Sequence, residues 1–271
     1  MEIAICIFIL GAIVGSFLNV CIVRLPQEAS VVTPPSHCLK CKKNIPWYDN
    51  IPLLSYILLK GRCRFCKERI SFRYFGVELI TAILFTLFYI YFGLKTILLP
   101  YLVMLSCFIV ATFVDFEHRI IPDEVSIGGM FAGLFFSFFI PGLQGVDTNN
   151  TNFLASHLTA LGMSVLGVLI GGGVIYLMGI LGDFLFKKES MGGGDIKLLA
   201  MIGAFLGWKY ALLTFFIAPF FGSIFGIVEK IRTKETVIAY GPFLVLGAII
   251  SLFWGNEIIS WLLQRYGIPT T

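Results

Sequence analysis

Long apolar stretches alternate with short polar ones along almost the whole chain, and their lengths are the first feature that predicts structure. A helix needs about 20 mostly apolar residues to cross the hydrocarbon core of a bilayer. The chain has eight such stretches, but the sixth is short for a complete span, so seven crossings are possible as well as eight. The pattern predicts an all-α polytopic membrane protein with about eight transmembrane helices. The eight stretches are residues 2–23, 76–94, 96–115, 123–141, 156–186, 196–208, 209–229 and 241–263.

One long polar stretch, from Arg24 to Arg73, interrupts this pattern after the first apolar stretch. It divides the chain into three predicted domains. Residues 1–23 form a first transmembrane helix, residues 24–75 form a polar loop domain, and residues 76–271 form the membrane-embedded remainder.

Composition supports a membrane protein. Of 271 residues, 58% are hydrophobic and 13% are charged, whereas soluble domains carry about 25% charged residues. This excludes a disordered chain and argues against a soluble globular one. The net charge of +4 is too small for a protein that binds nucleic acid through bulk charge, so we expect lipid and not nucleic acid around this chain.

The basic residues are distributed unevenly between the predicted loops. Ten of the 20 Lys and Arg residues lie between Arg24 and Arg73, so the positive-inside rule places this loop in the cytoplasm. Threading eight spans from there leaves only Lys95, Lys209 and Arg265 on the outer side. The first apolar stretch follows Glu2 and precedes the first cation, which is typical of an uncleaved anchor with its N-terminus outside.

The polar loop carries two Cys-x-x-Cys pairs separated by 21 residues. Paired knuckles of this kind indicate zinc, which binds four thiolates in a closed tetrahedral site of structural type. Redox disulfides and unmetallated thiols are the alternatives, although a cytoplasmic loop disfavours disulfides. We interpret the cysteines of the apolar stretches, at positions 6, 21 and 107, as small hydrophobic side chains. The predicted ligands are Cys38, Cys41, Cys63 and Cys66.

Two aspartates lie where apolar stretches meet the predicted cytoplasmic face. Asp115 ends the third stretch, and Asp195 follows three consecutive glycines just before the sixth. Two carboxylates that meet at one depth can share a proton and act as an aspartyl protease pair. From spacing alone, Asp195 could equally cap a helix and Asp115 could pair with Arg119. The sequence leaves both interpretations open.

Other charged residues near the membrane have simpler interpretations. Asp123 follows Pro122 and is predicted to be a helix N-cap. Lys197 is expected either to modulate the Asp195 carboxylate or to contact lipid headgroups. The second role is the commoner one. Glu78 lies in the second apolar stretch, where a carboxylate needs a partner inside the bundle, and its role stays open.

Several short segments, in order along nearly the whole chain, together resemble bacterial type IV prepilin peptidases. The cysteine loop and the two aspartate segments belong to this pattern. The segments are residues 15–20 (GSFLNV), 24–26 (RLP), 46–52 (PWYDNIP), 61–66 (GRCRFC), 73–74 (RY), 78–79 (EL), 121–123 (IPD), 192–197 (GGGDIK) and 240–243 (YGPF).

The resemblance implies a bifunctional enzyme of the bacterial cytoplasmic membrane. Such enzymes remove the basic leader of prepilins or pseudopilins of type IV pilus and type II secretion systems. They cut after a glycine at the cytoplasmic face and methylate the new N-terminal residue with S-adenosylmethionine. The family's catalytic aspartates fall on Asp115 and Asp195, and Gly192–Asp195 resembles the GxGD segment of intramembrane aspartyl proteases. The four-cysteine loop is similar to a zinc domain linked to methylation.

Some consequences of the resemblance have no separate support in the sequence. The chain has no glycine-rich turn between a strand and a helix, so the sequence does not locate the methyl donor. A basic leader requires an acidic surface, for which Glu117, Asp123, Glu124 and Glu189 are candidates. The alternative function is an ion- or proton-coupled transporter with a zinc-stabilised cytoplasmic cap. The sequence lacks the paired broken helices that are typical of transporters.

Overall fold

The computed structural model describes residues 2–148, 152–186, 192–233 and 239–265. Across these ranges the secondary structure is helical, with no β-strand beyond two isolated bridges in the polar loop. The α-helices are α1 (Glu2–Arg24), α2 (Leu54–Leu58), α3 (Phe72–Phe92), α4 (Leu98–His118), α5 (Asp123–Phe139), α6 (Phe153–Phe186), α7 (Gly193–Thr233) and α8 (Gly241–Arg265).

Six of these helices are long and apolar enough to cross a membrane, namely α1, α3, α4, α6, α7 and α8. The protein is therefore a multi-pass membrane protein. Helix α5, with 17 residues, is shorter than these six. It nevertheless covers most of the fourth apolar stretch of the sequence.

Helix α7 is two helices joined at Gly207. This residue has φ 79° and ψ 171°, which are not helical angles. Leu199 and Ala211, on opposite sides of Gly207, both lie against Gly171 of α6. A straight helix would place them about 18 Å apart, so the chain reverses direction at Gly207. The two limbs, residues 193–206 and 208–233, correspond to the predicted sixth and seventh stretches and bring the long helical segments to eight in the described ranges.

The chain forms two compact units, Met1–Val114 (unit one) and Asp115–Thr271 (unit two). In unit one, α1 packs against α3, and a methyl group added at Gly11 would lie 2.7 Å from Ala82 Cα. The two helix backbones are therefore in direct contact. This explains why small residues recur on the buried face of α1.

In unit two, α7 packs against α5, α6 and α8. Helix α6 and the first limb of α7 touch where Gly167 faces Gly203, with no room for a side chain on either residue. Gly171 and Gly172 pack against Leu199 and Ala200. Gly167, Gly171 and Gly172 therefore permit close packing of these two helices.

Side chains from neighbouring elements donate hydrogen bonds to the last turn of the first α7 limb. Because the helix stops at Gly207, carbonyl groups of its last turn lose their usual N–H partners. The Ala204 carbonyl instead accepts hydrogen bonds from Ser164 Oγ at 2.7 Å, Gln144 Nε2 at 2.9 Å and Ser137 Oγ at 3.2 Å. These bonds stabilise a helix end where water is scarce.

Candidate active site and metal centre

Asp115 lies near the end of α4, which terminates three residues later at His118. Arg119 has φ 59° and donates its backbone N–H to the Asp115 carbonyl at 2.9 Å. Pro122, as the residue before α5, completes the turn between the two helices. The Asp115 side chain is buried, with 5% of its surface exposed, and its Oδ2 accepts a hydrogen bond from the Gly241 N–H at 2.9 Å.

Asp195 is the third residue of α7, after the run of glycines. It lies within the first turn of the helix, where a carboxylate is favoured, and not at the N-cap position that precedes the helix. Gly194 packs against Ile121, since a methyl group added there would lie 3.1 Å from Ile121 Cβ. The backbone before Asp195 thus contacts the turn that follows Asp115.

Unit two brings the two aspartates together. Ile121 lies against both Gly194 and Gly241, and Gly241 also contacts the Asp115 carboxylate. Asp115 and Asp195 therefore converge from the end of α4 and the start of α7, beside the start of α8. This geometry supports the paired-carboxylate interpretation that the sequence left open.

Two further groups at this site had no role in the sequence analysis. The first is the Gly241 N–H, which binds Asp115. The second is Tyr240, whose phenol lies near Asp195; burial raises its pKa, and the negative charge of Asp195 raises it further. Tyr240 is thus a neutral hydrogen-bond donor. The only signal in the sequence was that residues 240–243 belonged to the family resemblance.

The N-cap prediction for Asp123 was wrong, and Lys197 has a partner that the sequence did not predict. Asp123 is the first residue of α5, whose N-cap is Pro122. Its carboxylate forms an ion pair with Lys197 Nζ at 2.6 Å. The partner of Lys197 in the structure is thus Asp123, and its contact with lipid headgroups stays a prediction. Among the other leader-binding candidates, Glu117 and Glu124 are exposed, whereas Glu189 lies outside the described residues.

The four predicted metal ligands meet in unit one. The Sγ atoms of Cys38, Cys41, Cys63 and Cys66 all lie within 4.8 Å of one another. Cys38 Sγ and Cys66 Sγ are 3.8 Å apart. A zinc ion with Zn–S bonds of about 2.3 Å has tetrahedral edges of about 3.8 Å, so the cluster fits this ion.

The two knuckles have the same backbone structure. In the first, Cys38 N–H binds the Lys43 carbonyl and Lys42 N–H binds the Cys38 carbonyl. In the second, the Cys63 N–H binds the Glu68 carbonyl and the Lys67 N–H binds the Cys63 carbonyl. Lys42 and Lys67 both have positive φ, at 58° and 59°. Each turn directs two thiols to one side of the loop.

Local hydrogen bonds and an ion pair hold this cluster. Within the cluster, the bond from the Cys41 backbone N–H is the main cause that lowers the pKa of the Cys38 thiol, whereas the pKa of the Cys66 thiol is raised. Asp49 accepts two hydrogen bonds from Arg64, both at 2.6 Å. This bidentate pair joins the segment between the knuckles to the second knuckle.

Membrane helices with two converging aspartates at their ends define the class of membrane-embedded aspartyl peptidases. The chain belongs to the type IV leader peptidase family, whose model matches residues 102–227. A model of the bacterial peptidase A24 N-terminal domain matches residues 9–92. These matches confirm the resemblance described from the sequence.

Individual relatives give the same result, and each of the following is called a prepilin leader peptidase/N-methyltransferase. The protein from Myxococcus xanthus is 37% identical over 85% of this chain and 64% of its own length. The protein from Aeromonas salmonicida is 31% identical over 95% of this chain and 93% of its own length. The protein from Pseudomonas aeruginosa is 32% identical over 98% of this chain and 96% of its own length. The chain therefore spans just under two thirds of the first relative and nearly all of the others. No solved structure matches the chain.

Proposed function

We propose that this protein is a membrane aspartyl endopeptidase that removes the basic leader of type IV prepilins or pseudopilins after a glycine. It also methylates the new N-terminal residue with S-adenosylmethionine. Membership of the leader peptidase family and the names of its relatives support both activities. The observation that carries the proposal is the convergence of Asp115 and Asp195 around Ile121 and Gly241.

The paired carboxylates supply general acid–base chemistry. Two acidic groups this close do not both ionise readily, so they share a proton. The ionised group activates a water molecule for attack on the scissile carbonyl, and the protonated group donates to the carbonyl oxygen and then to the leaving amine. The Gly241 N–H fixes one oxygen of Asp115 and thereby orients that carboxylate.

The distribution of basic residues supports an orientation in the bacterial cytoplasmic membrane. The N-terminus is outside, and the aspartates and the cysteine loop face the cytoplasm. The basic leader of the substrate then stays on the cytoplasmic side. Glu117 and Glu124 are exposed and lie close in sequence to Asp115. Their negative charges offer a binding surface to the basic leader.

The cysteine cluster holds a structural zinc ion. Four thiolates fill the tetrahedral coordination shell and leave no position for a water molecule. A loop of this size has too few residues to build a good core of its own, so the metal stabilises its fold. We retain the division into a first transmembrane helix (1–23), a zinc domain (24–75) and a peptidase domain (76–271).

The test is leader removal by the purified protein, read by intact mass of a prepilin. We expect cleavage by the wild type and none by Asp115→Asn or Asp195→Asn, because an amide is neither acid nor base. Asp147→Asn, at an exposed position in the loop before α6, is the matched control and should cleave normally. Normal turnover by either amide variant would refute the aspartate pair, whereas ion flux in liposomes without cleavage would favour the transporter.

A further inference from the structure

Unit one contains a large cavity that the aspartate pair does not explain. Its volume is about 1300 Å³, and its walls come from α1, the start of α3 and the polar loop between them. Ligand sites in proteins usually have volumes of about 300–1000 Å³. The cavity therefore has room for a small molecule together with the end of a peptide.

Glu78 is a carboxylate in the helical wall of this cavity. A methyl group added at Gly15 would lie 2.8 Å from Glu78 Cα, so direct contact between α1 and α3 fixes its position. Its Oε2 accepts the Leu53 N–H at 2.8 Å, and its side chain also bonds to Ser16. Leu53 has φ 63°, a conformation that is unfavourable for a branched residue.

The negative charge of Glu78 has no basic partner in the described part of the chain. Its bonds from Leu53 and Ser16 come from neutral groups. A carboxylate within a membrane helix is normally paired with a cation. The missing positive charge therefore points to a cationic ligand in the cavity.

Asn19 lies in the same wall and has an unsatisfied acceptor. Its side chain is 2% exposed, and its Nδ2 donates to the Tyr74 carbonyl at 2.9 Å. Its Oδ1 is fully buried and accepts no hydrogen bond. Because buried polar atoms in proteins almost always have a partner, either protein or ordered water, this oxygen is left to accept an N–H or O–H donor from outside the described chain.

An ammonium group meets both requirements, because it carries a positive charge and N–H donors. We propose that Asn19 and Glu78 bind the α-amino group of the newly exposed N-terminal residue and prepare it for methylation. The cavity is then the acceptor side of the methyltransferase site. This inference rests on the proposed function.

The residues have distinct roles in the reaction. The ammonium donates one N–H to Asn19 Oδ1 and transfers one proton to the Glu78 carboxylate, which leaves a neutral amine. The amine lone pair then forms the N–C bond to the methyl group as the S–C bond breaks. The electrons of that bond go to sulfur, so the sulfonium becomes a neutral thioether. The positive charge moves to the methylated amine, and Glu78 releases its proton to water.

The test uses the full chain and a synthetic peptide that begins at the mature N-terminal residue, so that methylation does not depend on cleavage. For Glu78→Gln we expect methylation to fall by roughly 100-fold or more, as for the loss of a general base. For Asn19→Leu we expect the KM of the peptide to rise roughly tenfold, as for one hydrogen bond to a charged group. Glu28→Gln, an exposed residue outside the cavity wall, should behave as wild type.

Two further measurements keep the result specific. Leader cleavage by the aspartates of unit two reports that each variant is folded and inserted. Calorimetry with S-adenosylhomocysteine reports the methyl-donor site, and we expect its dissociation constant to be unchanged in Glu78→Gln and Asn19→Leu.

Each adverse outcome has a separate meaning. Wild-type methylation by Glu78→Gln would overturn this inference and leave the proposed function intact. Loss of S-adenosylhomocysteine binding in the same variant would assign these residues to the methyl donor and overturn their role at the amine. A wild-type protein that cleaves but never methylates would overturn the methyltransferase half of the proposed function, and this inference with it.

Discussion

At the scale of single residues, Gly241 controls Asp115 in two ways. Its backbone N–H donates to Asp115 Oδ2, and its missing side chain leaves the space that the carboxylate occupies. A methyl group there would lie 2.9 Å from that oxygen and 3.2 Å from Ile121 Cδ1. A position that looks like a simple helix start is therefore part of the geometry of the proposed aspartate pair.

We expect Gly241→Ala to lower kcat for leader cleavage by roughly 10- to 100-fold, because small displacements of a reacting group are costly. Gly128→Ala is the matched control, since a methyl group at Gly128 meets no atom within 4 Å. Cleavage kinetics of both variants would check this. Equal activity in Gly241→Ala and the wild type would show that Asp115 does not depend on this contact.

At the scale of helices, the contact between α6 and the first limb of α7 depends on the absence of side chains. Gly167 and Gly203 face each other so closely that a methyl group on either residue would overlap the other's carbonyl. Rigid helix backbones cannot move apart locally as a flexible side chain can. The limb that presents Asp195 is therefore held by backbone contact.

We expect Gly167→Ala to destabilise the protein by more than about 2 kcal/mol, as overpacking in a close contact does. Gly173→Ala, in the same helix, should have little effect because a methyl group there meets nothing within 4 Å. Thermal unfolding in detergent would compare the two. A Gly167→Ala variant as stable as Gly173→Ala would contradict this packing.

At the scale of the whole molecule, the cysteine cluster lies in unit one and the aspartate pair in unit two. In the proposed function the cluster depends on zinc for its fold, whereas the pair is held by helix packing and one backbone hydrogen bond. Loss of the metal should therefore affect the two activities unequally.

We expect the purified protein to contain one zinc ion per chain, and replacement of the four cysteines by serine to remove it. Methylation should be lost while leader cleavage persists. Cys6→Ser together with Cys107→Ser serves as the control and should retain zinc, because neither residue belongs to the cluster. Elemental analysis checks the prediction, and unchanged zinc in the quadruple variant would exclude the assignment.

The orientation of the whole chain gives a separate prediction. In intact spheroplasts, an impermeant maleimide should label Asp147→Cys, which lies in an outer loop by the charge rule. Ser30→Cys, an exposed position in the cysteine loop, should react only after the membrane is opened. The wild-type protein gives the background level of maleimide labelling. The reverse labelling pattern would invert the proposed topology.

Much of the architecture was predictable because it depends on local composition. Span length predicted the long helices, and the short sixth stretch predicted the limb that ends before Gly207. Cysteine spacing predicted a four-thiol cluster, since each knuckle closes through hydrogen bonds within a few residues. Asp115 and Asp195 were candidates because a carboxylate at membrane depth is costly and usually has a function.

The sequence by itself determined the class of protein, the helical segments, the cysteine cluster and the candidate aspartates, because these follow from patterns within a few turns of chain. Only the tertiary structure decided that Ile121 and Gly241 join the aspartates, that Lys197 pairs with Asp123, and that Asn19 and Glu78 share one cavity. Contacts between residues 50 to 130 positions apart depend on how helices pack. That packing is set by many weak contacts that no short segment contains.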